Sequence, residues 1–209
     1  MLGEMLQNVR ENRPLVHCIT NYVTANDCAN LLLACGGSAI MADEMEEVEE
    51  VTSLCGGLVL NLGTPNPRKV EAMLRAGREA NRMGRPVVFD PVGAGCSAFR
   101  REASSRILEQ VQLSVIRGNA SEIAALTSGE TGRCGVDADA SAASAEKSAR
   151  LLAKKTGAVV VASGATDLVT DGEALYCVHN GHPMMRTVTG TGCQLSALTG
   201  AYVSANPQN

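Results

Sequence analysis

The chain has no tryptophan, two phenylalanines and three tyrosines in 209 residues. So few rings rule out a platform on which nucleic-acid bases could stack. Basic charge is also scarce. Eighteen Lys and Arg stand against 22 Asp and Glu, a net charge of −4, which argues against a footprint along a phosphate backbone. No apolar run approaches the ~20 residues of a membrane span. MLGEMLQNVRENRP, at the N-terminus, lacks a basic start and a long apolar core and is not expected to be a signal peptide. The eight cysteines, Cys18, Cys28, Cys35, Cys55, Cys96, Cys134, Cys177 and Cys193, contain no C-x-x-C pair. Most lie in apolar runs, so the expectation is that most of them are small core residues in a reducing cytoplasm rather than a disulfide framework. G-x-x-x-x-G-K-[ST] is absent, which excludes a P-loop, and GTGC does not complete G-x-G-x-x-G. His179 and His182 lack a third ligand nearby in sequence and read as solvated or core histidines rather than a zinc site.

What is present is a regular alternation. Hydrophobic residues make up 45% and charged residues 19%, as in a globular domain with a sizeable core. Helical spacing marks 2–11, and 14–20 is an apolar strand in which His17 reads as a satisfied core histidine. Residues 25–35 return to helix, ended by Gly36-Gly37. SAIMA, 38–42, is a strand. Six carboxylates between Asp43 and Glu50 follow, read as a solvated helix start in which Asp43 caps and Glu46 completes a capping box. Strands are expected at 57–63, 86–95, 113–119 and 158–163, and helices over the NPRKVEAMLRAGREANRMG stretch, 98–110, 120–128 and 139–156. DLVTDG and ALYCVHN read as a hairpin, and a last helix follows TVTGTGC. Strands alternating with helices imply βαβ units, a mostly parallel sheet and helices on both faces. In such sheets ligands bind beyond the carboxyl ends of the strands.

Those ends carry polar or glycine-rich clusters: HCITNYVTAND with His17, Thr20, Asn21 and Asn26, then IMAD, LNLGT, FDPVGAG, IRGNASE and SGATD. Clusters at nearly every strand end point to a shared cleft. Asp90 ends an apolar strand, where a carboxylate is costly unless it binds something; it also suits a cap on the next loop. Arg117 suits a bidentate grip on phosphate. Glu122 lies in a first helical turn, where it complements the helix dipole or, with Asp90, holds Mg²⁺ mostly through water. Gly190, Thr191 and Gly192 precede the last helix. Glycine lets the backbone turn tightly and a ligand approach, and the unpaired N–H groups of a helix start form an anion hole suited to phosphate.

PLVHCITNYVTANDCAN, IMAD, LNLGT, FDPVGAG, IRGNASEI and VTGTGC, in this order and spacing, closely resemble the hydroxyethylthiazole kinases, over about residues 13–204. The resemblance implies the three-layer ribokinase-like fold and ATP-dependent phosphorylation of the primary alcohol of 4-methyl-5-(2-hydroxyethyl)thiazole in thiamine salvage. It implies a homotrimer with thiazole sites between subunits, while composition and charge lead to the expectation of a cytoplasmic protein without nucleic-acid or membrane partners. By similarity Met41 and Gly190 contact the thiazole, and Arg117 and Ser163 bind ATP. In VASG, Ser163 keeps the hydroxyl of the family's usual threonine without its methyl. Asn119 and Glu122 match the superfamily's N-x-x-E magnesium motif. Cys193 stands where related sugar and pyrimidine kinases often carry a base; it is placed to take the hydroxyl proton or, alternatively, is a small residue that lets the loop pack.

The chain ends at Asn209, where family members generally continue with further helices. The corresponding expectation is a single kinase domain, 1–209, lacking the usual C-terminal helices. Other readings are a different small-alcohol kinase of the superfamily, an ATP-dependent dehydratase for hydrated nicotinamide nucleotides, or a non-catalytic nucleotide- or thiazole-binding protein.

Overall fold

The structure, a computed structural model, describes residues 2–128 and 142–207. One eight-stranded sheet runs through it in the order β2-β1-β3-β4-β5-β6-β7-β8. The strands are β1 (Leu15–Ile19), β2 (Ser38–Ile40), β3 (Gly57–Asn61), β4 (Val87–Asp90), β5 (Val115–Asn119), β6 (Val159–Ser163), β7 (Asp167–Thr170) and β8 (Leu175–Val178). β1 to β6 pair in parallel. β7 and β8 add antiparallel, as the hairpin signals in the sequence predict. The helices are α1 (Leu2–Asn12), α2 (Ala25–Cys35), α3 (Val48–Leu54), α4 (Pro67–Arg82), α5 (Ala98–Gln110), α6 (Ala120–Ser128), α7 (Ala142–Thr156) and α8 (Thr191–Ala205). Residues 139–141 of the expected 139–156 helix, and Cys134, lie outside the described residues.

Local chemistry sets the helix limits. Asn66 caps α4 by accepting from the Lys69 N–H at 2.9 Å, with Pro67 at the first helical position, where its missing N–H costs nothing. Gly36, at φ 102°, closes α2 in the left-handed region, which glycine enters without a Cβ penalty.

Side chains alternate across each strand, so the sheet separates two cores. Leu58, Leu60, Val87, Phe89, Ile116 and Val160 face α3 to α7. Val16, Cys18, Val59, Val88 and Val115 face α1, α2 and α8. This gives the three expected layers. Among the described residues the α8 side is incompletely covered beyond β5, where Val159 and Tyr176 are exposed.

One expectation is corrected and another meets exceptions. Asp43 and Glu46 form no capping box, because α3 starts only at Val48 and its N-cap Glu47 makes no side-chain cap bond. Their carboxylates are taken by cations: Asp43 by Lys69 at 3.0 Å, Glu44 and Glu46 by Arg68 at 2.7 and 3.4 Å. Two described cysteines are exceptions to the core-thiol expectation. Cys18, Cys28 and Cys55 are buried, but Cys177 is exposed on the outermost strand and Cys96 is disulfide-bonded. His17 is the buried, satisfied histidine expected of it, hydrogen-bonded to Thr52 Oγ1 at 2.9 Å and the Ala42 carbonyl at 2.8 Å. Burial lowers its pKa.

Candidate active site

Asn61, Asp90 and Ser163 end β3, β4 and β6, Arg117 lies midway along β5 between them, and each has the parity of the residue two earlier that faces the α8 side. Alternation therefore aims all four at the N-terminus of α8. Asp90 is 1% exposed. Its Oδ2 accepts from Ser196 Oγ of α8 at 2.7 Å and from Asn61 Nδ2 at 3.0 Å. Its Oδ1 has no partner among the described residues. Burial is the main reason its pKa rises to about 6; Arg117 opposes that rise and Glu122 adds to it.

Arg117 lies 3.8 Å from Asp90 through Nη1, longer than a close ion pair. Its Nη2 donates to Ser163 Oγ at 2.5 Å, while Nε is buried without a partner. The guanidinium thus keeps donors to spare inside the site. Glu122 accepts from the Gly93 N–H through Oε1 and the Asn119 N–H through Oε2, both at 2.8 Å. It ties the DPVGAG turn to the end of β5.

The start of α8 meets these groups. Gly190 is its N-cap at φ 81°, with no capping side chain. Thr191, Gly192 and Cys193 follow as the first helical turn, whose N–H groups point out of the helix. A Cβ at Gly192 would collide with the Arg117 guanidinium, and one at Gly190 with the Thr24 side chain. Cys193 Sγ lies on the other side of that turn, where it accepts from Asn21 Nδ2 at 3.2 Å and Asn61 Nδ2 at 3.3 Å. Consecutive helical residues differ by about 100° in direction, so Gly192 meets the β5 end while Cys193 meets the β1 and β3 ends. β1 and β3 flank the point where the strand order reverses, the crevice in which open α/β sheets bind ligands.

Arg117, Ser163, Asp90, Glu122, Gly190, Thr191, Gly192 and Cys193 are thus gathered at one end of the sheet. Met41 is not among them. It follows β2 at the sheet edge and is 38% exposed. Three contributors were not individually legible in the sequence: Asn61, Ser196 and Arg100. Arg100 reaches from α5 to the carbonyls of Leu62, Val92 and Gly63 and pins the loops after β3 and β4. LNLGT did flag Asn61 through its place at a strand end; Ser196 and Arg100 sit in helices whose spacing gives no such signal. A cavity of about 1000 Å³ beside Arg101, Ser105, Leu108 and Lys155 lies on the α5 side and holds none of these groups.

The architecture is that of the ribokinase-like proteins. A ribokinase-like superfamily protein from Enterococcus faecalis V583 superposes with a TM-score of 0.64 at 12% identity, over 94% of this chain and 73% of its own. The family is closer. The hydroxyethylthiazole kinase family model matches residues 6–209. A hydroxyethylthiazole kinase of Clostridium acetobutylicum is 51% identical over 99% of this chain and 78% of its own length. The structure of a hydroxyethylthiazole kinase protein from Pyrococcus horikoshii OT3 superposes with a TM-score of 0.88 at 43% identity, covering 96% of this chain and 75% of that one. The chain belongs to the hydroxyethylthiazole kinase family.

Proposed function

We propose that this chain transfers the γ-phosphoryl group of ATP to the primary alcohol of hydroxyethylthiazole, in thiamine salvage, at the N-terminus of α8. The observation that carries the reading is the split first turn of that helix, with Gly192 against Arg117 on one side and Cys193 against Asn21 and Asn61 on the other. A phosphoryl group on the Gly190–Gly192 N–H groups would lie between a guanidinium and a thiol. ATP would enter from the β5–β6 side, with Arg117 and Ser163 on its phosphates. The alcohol would enter from the β1–β2 side, past Met41 and Gly190.

The phosphoryl-transfer transition state is loose, so positioning and charge stabilisation supply most of the catalysis. Preorganised N–H groups and Arg117 stabilise charge that develops on the phosphoryl oxygens. Acting as the thiolate, held in place by the two asparagine amides, Cys193 would take the hydroxyl proton and become the thiol. Asp90 and Glu122 would hold Mg²⁺, which neutralises phosphate charge when bound. The residues fit it: Asp90 Oδ1 is an orphaned buried carboxylate oxygen, and Mg²⁺ takes one or two carboxylates plus water and substrate phosphates rather than a protein cage. Glu122 already serves two backbone N–H groups, so its part would run through water.

The family's trimeric assembly is part of the same reading. Tyr22, Val23 and Met41, in the loops after β1 and β2, expose apolar surface, and a neighbouring subunit there would wall the thiazole. No helix among the described residues is long and apolar enough to cross a membrane.

The test is ADP release with ATP, Mg²⁺ and hydroxyethylthiazole, with hydroxymethylpyrimidine as the comparison alcohol. Thiazole-dependent turnover is expected, and Arg117→Ala should lower kcat/KM for ATP by about 10²-fold. Equal turnover of both alcohols would overturn the substrate assignment, and unchanged ATP kinetics would remove Arg117 from the phosphate site.

A further inference from the structure

Lys69 stands in the first turn of α4, on the face of the sheet opposite α8, yet its ammonium reaches the strand ends. Its side chain is 2% exposed. The Nζ atom donates to the Thr20 carbonyl at 3.1 Å, pairs with Asp43 Oδ2 at 3.0 Å, and lies 3.9 Å from the centroid of the Tyr22 ring. An ammonium has three N–H donors, and three partners surround this one. Two of them, residues 20 and 22, flank Asn21, which donates to Cys193 Sγ and to Asn61 Oδ1. The third lies two residues beyond Met41, in the loop after β2. One buried cation therefore joins the two loops on the side from which the alcohol would enter.

Stability alone is a poor reason for such a group. Burying an ammonium carries a desolvation penalty that an ion pair often fails to recover, and an apolar residue of similar size serves a core as well or better. A charge with directional partners on two loops does something an apolar residue cannot: it fixes their separation. The cation also holds the Tyr22 ring, itself 71% exposed, over the loop.

We propose that Lys69 is a positioning residue for the alcohol substrate, setting through Thr20, Tyr22 and Asp43 the placement of Asn21 and Met41. This rests on the assignment of the β1–β2 side to the thiazole. The test compares Lys69→Met with the unaltered chain, varying hydroxyethylthiazole at saturating ATP and then ATP at saturating thiazole. The expected result is a rise in the thiazole KM of about tenfold or more, with the ATP KM within about twofold. An unchanged thiazole KM, or an equal rise in both constants, overturns the proposal. Should Lys69→Met not fold, Asp43→Asn removes only the ion pair, whose carboxylate is 37% exposed. A rise of about threefold in the thiazole KM is then expected, and no change overturns the proposal. Met41→Ala separates the two assignments. If it raises the thiazole KM and Lys69→Met does not, only the positioning role falls; if it leaves that KM unchanged, the substrate side is misplaced and the role falls with it.

Discussion

Compare the two faces of strands β3 to β5. Toward α3–α7 they present Leu58, Leu60, Phe89 and Ile116, fully buried among apolar neighbours. Toward α8 the same strands present Asn61, Asp90 and Arg117, a network with one carboxylate oxygen and one guanidinium nitrogen unpartnered. Phe89 and Asp90 are adjacent in sequence and belong to different worlds. The lesson is a division of labour made possible by a period of two. One residue of a strand end anchors the fold, and its neighbour, turned through half a revolution, is free to be costly. Burying an unsatisfied carboxylate works against folding, and the apolar face offsets it.

Three substitutions would break or sharpen that comparison. Gly192→Val acts purely on the chemical face. Its branched side chain fills the space of the Arg117 guanidinium, and kcat should fall by about 10³-fold or more while thermal unfolding stays near the unaltered value. An active variant would take the helix start out of the mechanism. Phe89→Ala acts on the other face. It empties a fully buried aromatic site and should lower unfolding free energy by about 3–5 kcal/mol, with kcat per folded molecule nearly unchanged. A large loss of kcat in the cold, folded enzyme would mean the faces are coupled.

The smallest effect and the most telling sign belong to Asp90→Asn. The folded-state pKa is raised, from 3.8 to about 6. Between those values the folded chain holds a proton the unfolded chain has lost. Stability therefore falls as pH rises through that window, by about 3 kcal/mol, and stays lowered above it. Asp90→Asn cannot ionise, so it should be more stable than the unaltered chain at about pH 8 and similar near pH 4, by urea unfolding, while losing turnover. A variant less stable at high pH would show that the carboxylate supports the fold.

Much of this arrangement can be read along the chain. The alternation of apolar strands with amphipathic helices carries the layers, and the DLVTDG–ALYCVHN turn signals carry the antiparallel edge. Polar residues ending apolar runs carry Asp90 and Arg117, and paired glycines before an apolar helix mark the uncapped start of α8. These are local properties: period, turn chemistry and strand-end polarity act over a few residues. Asp43 shows the limit. Its place before a helical run suggested a cap, yet its partner is Lys69, 26 residues away, and α3 begins only at Val48. Ser196 is bonded to Asp90 across 106 residues, and Asn21 to Cys193 across 172. Cys96 forms a disulfide that spacing did not announce. The residues therefore dictate which elements form and which strand ends carry reactive groups. Which of those groups meet depends on strand order and on the side of the sheet each helix covers, because such contacts exist only once distant segments pack together.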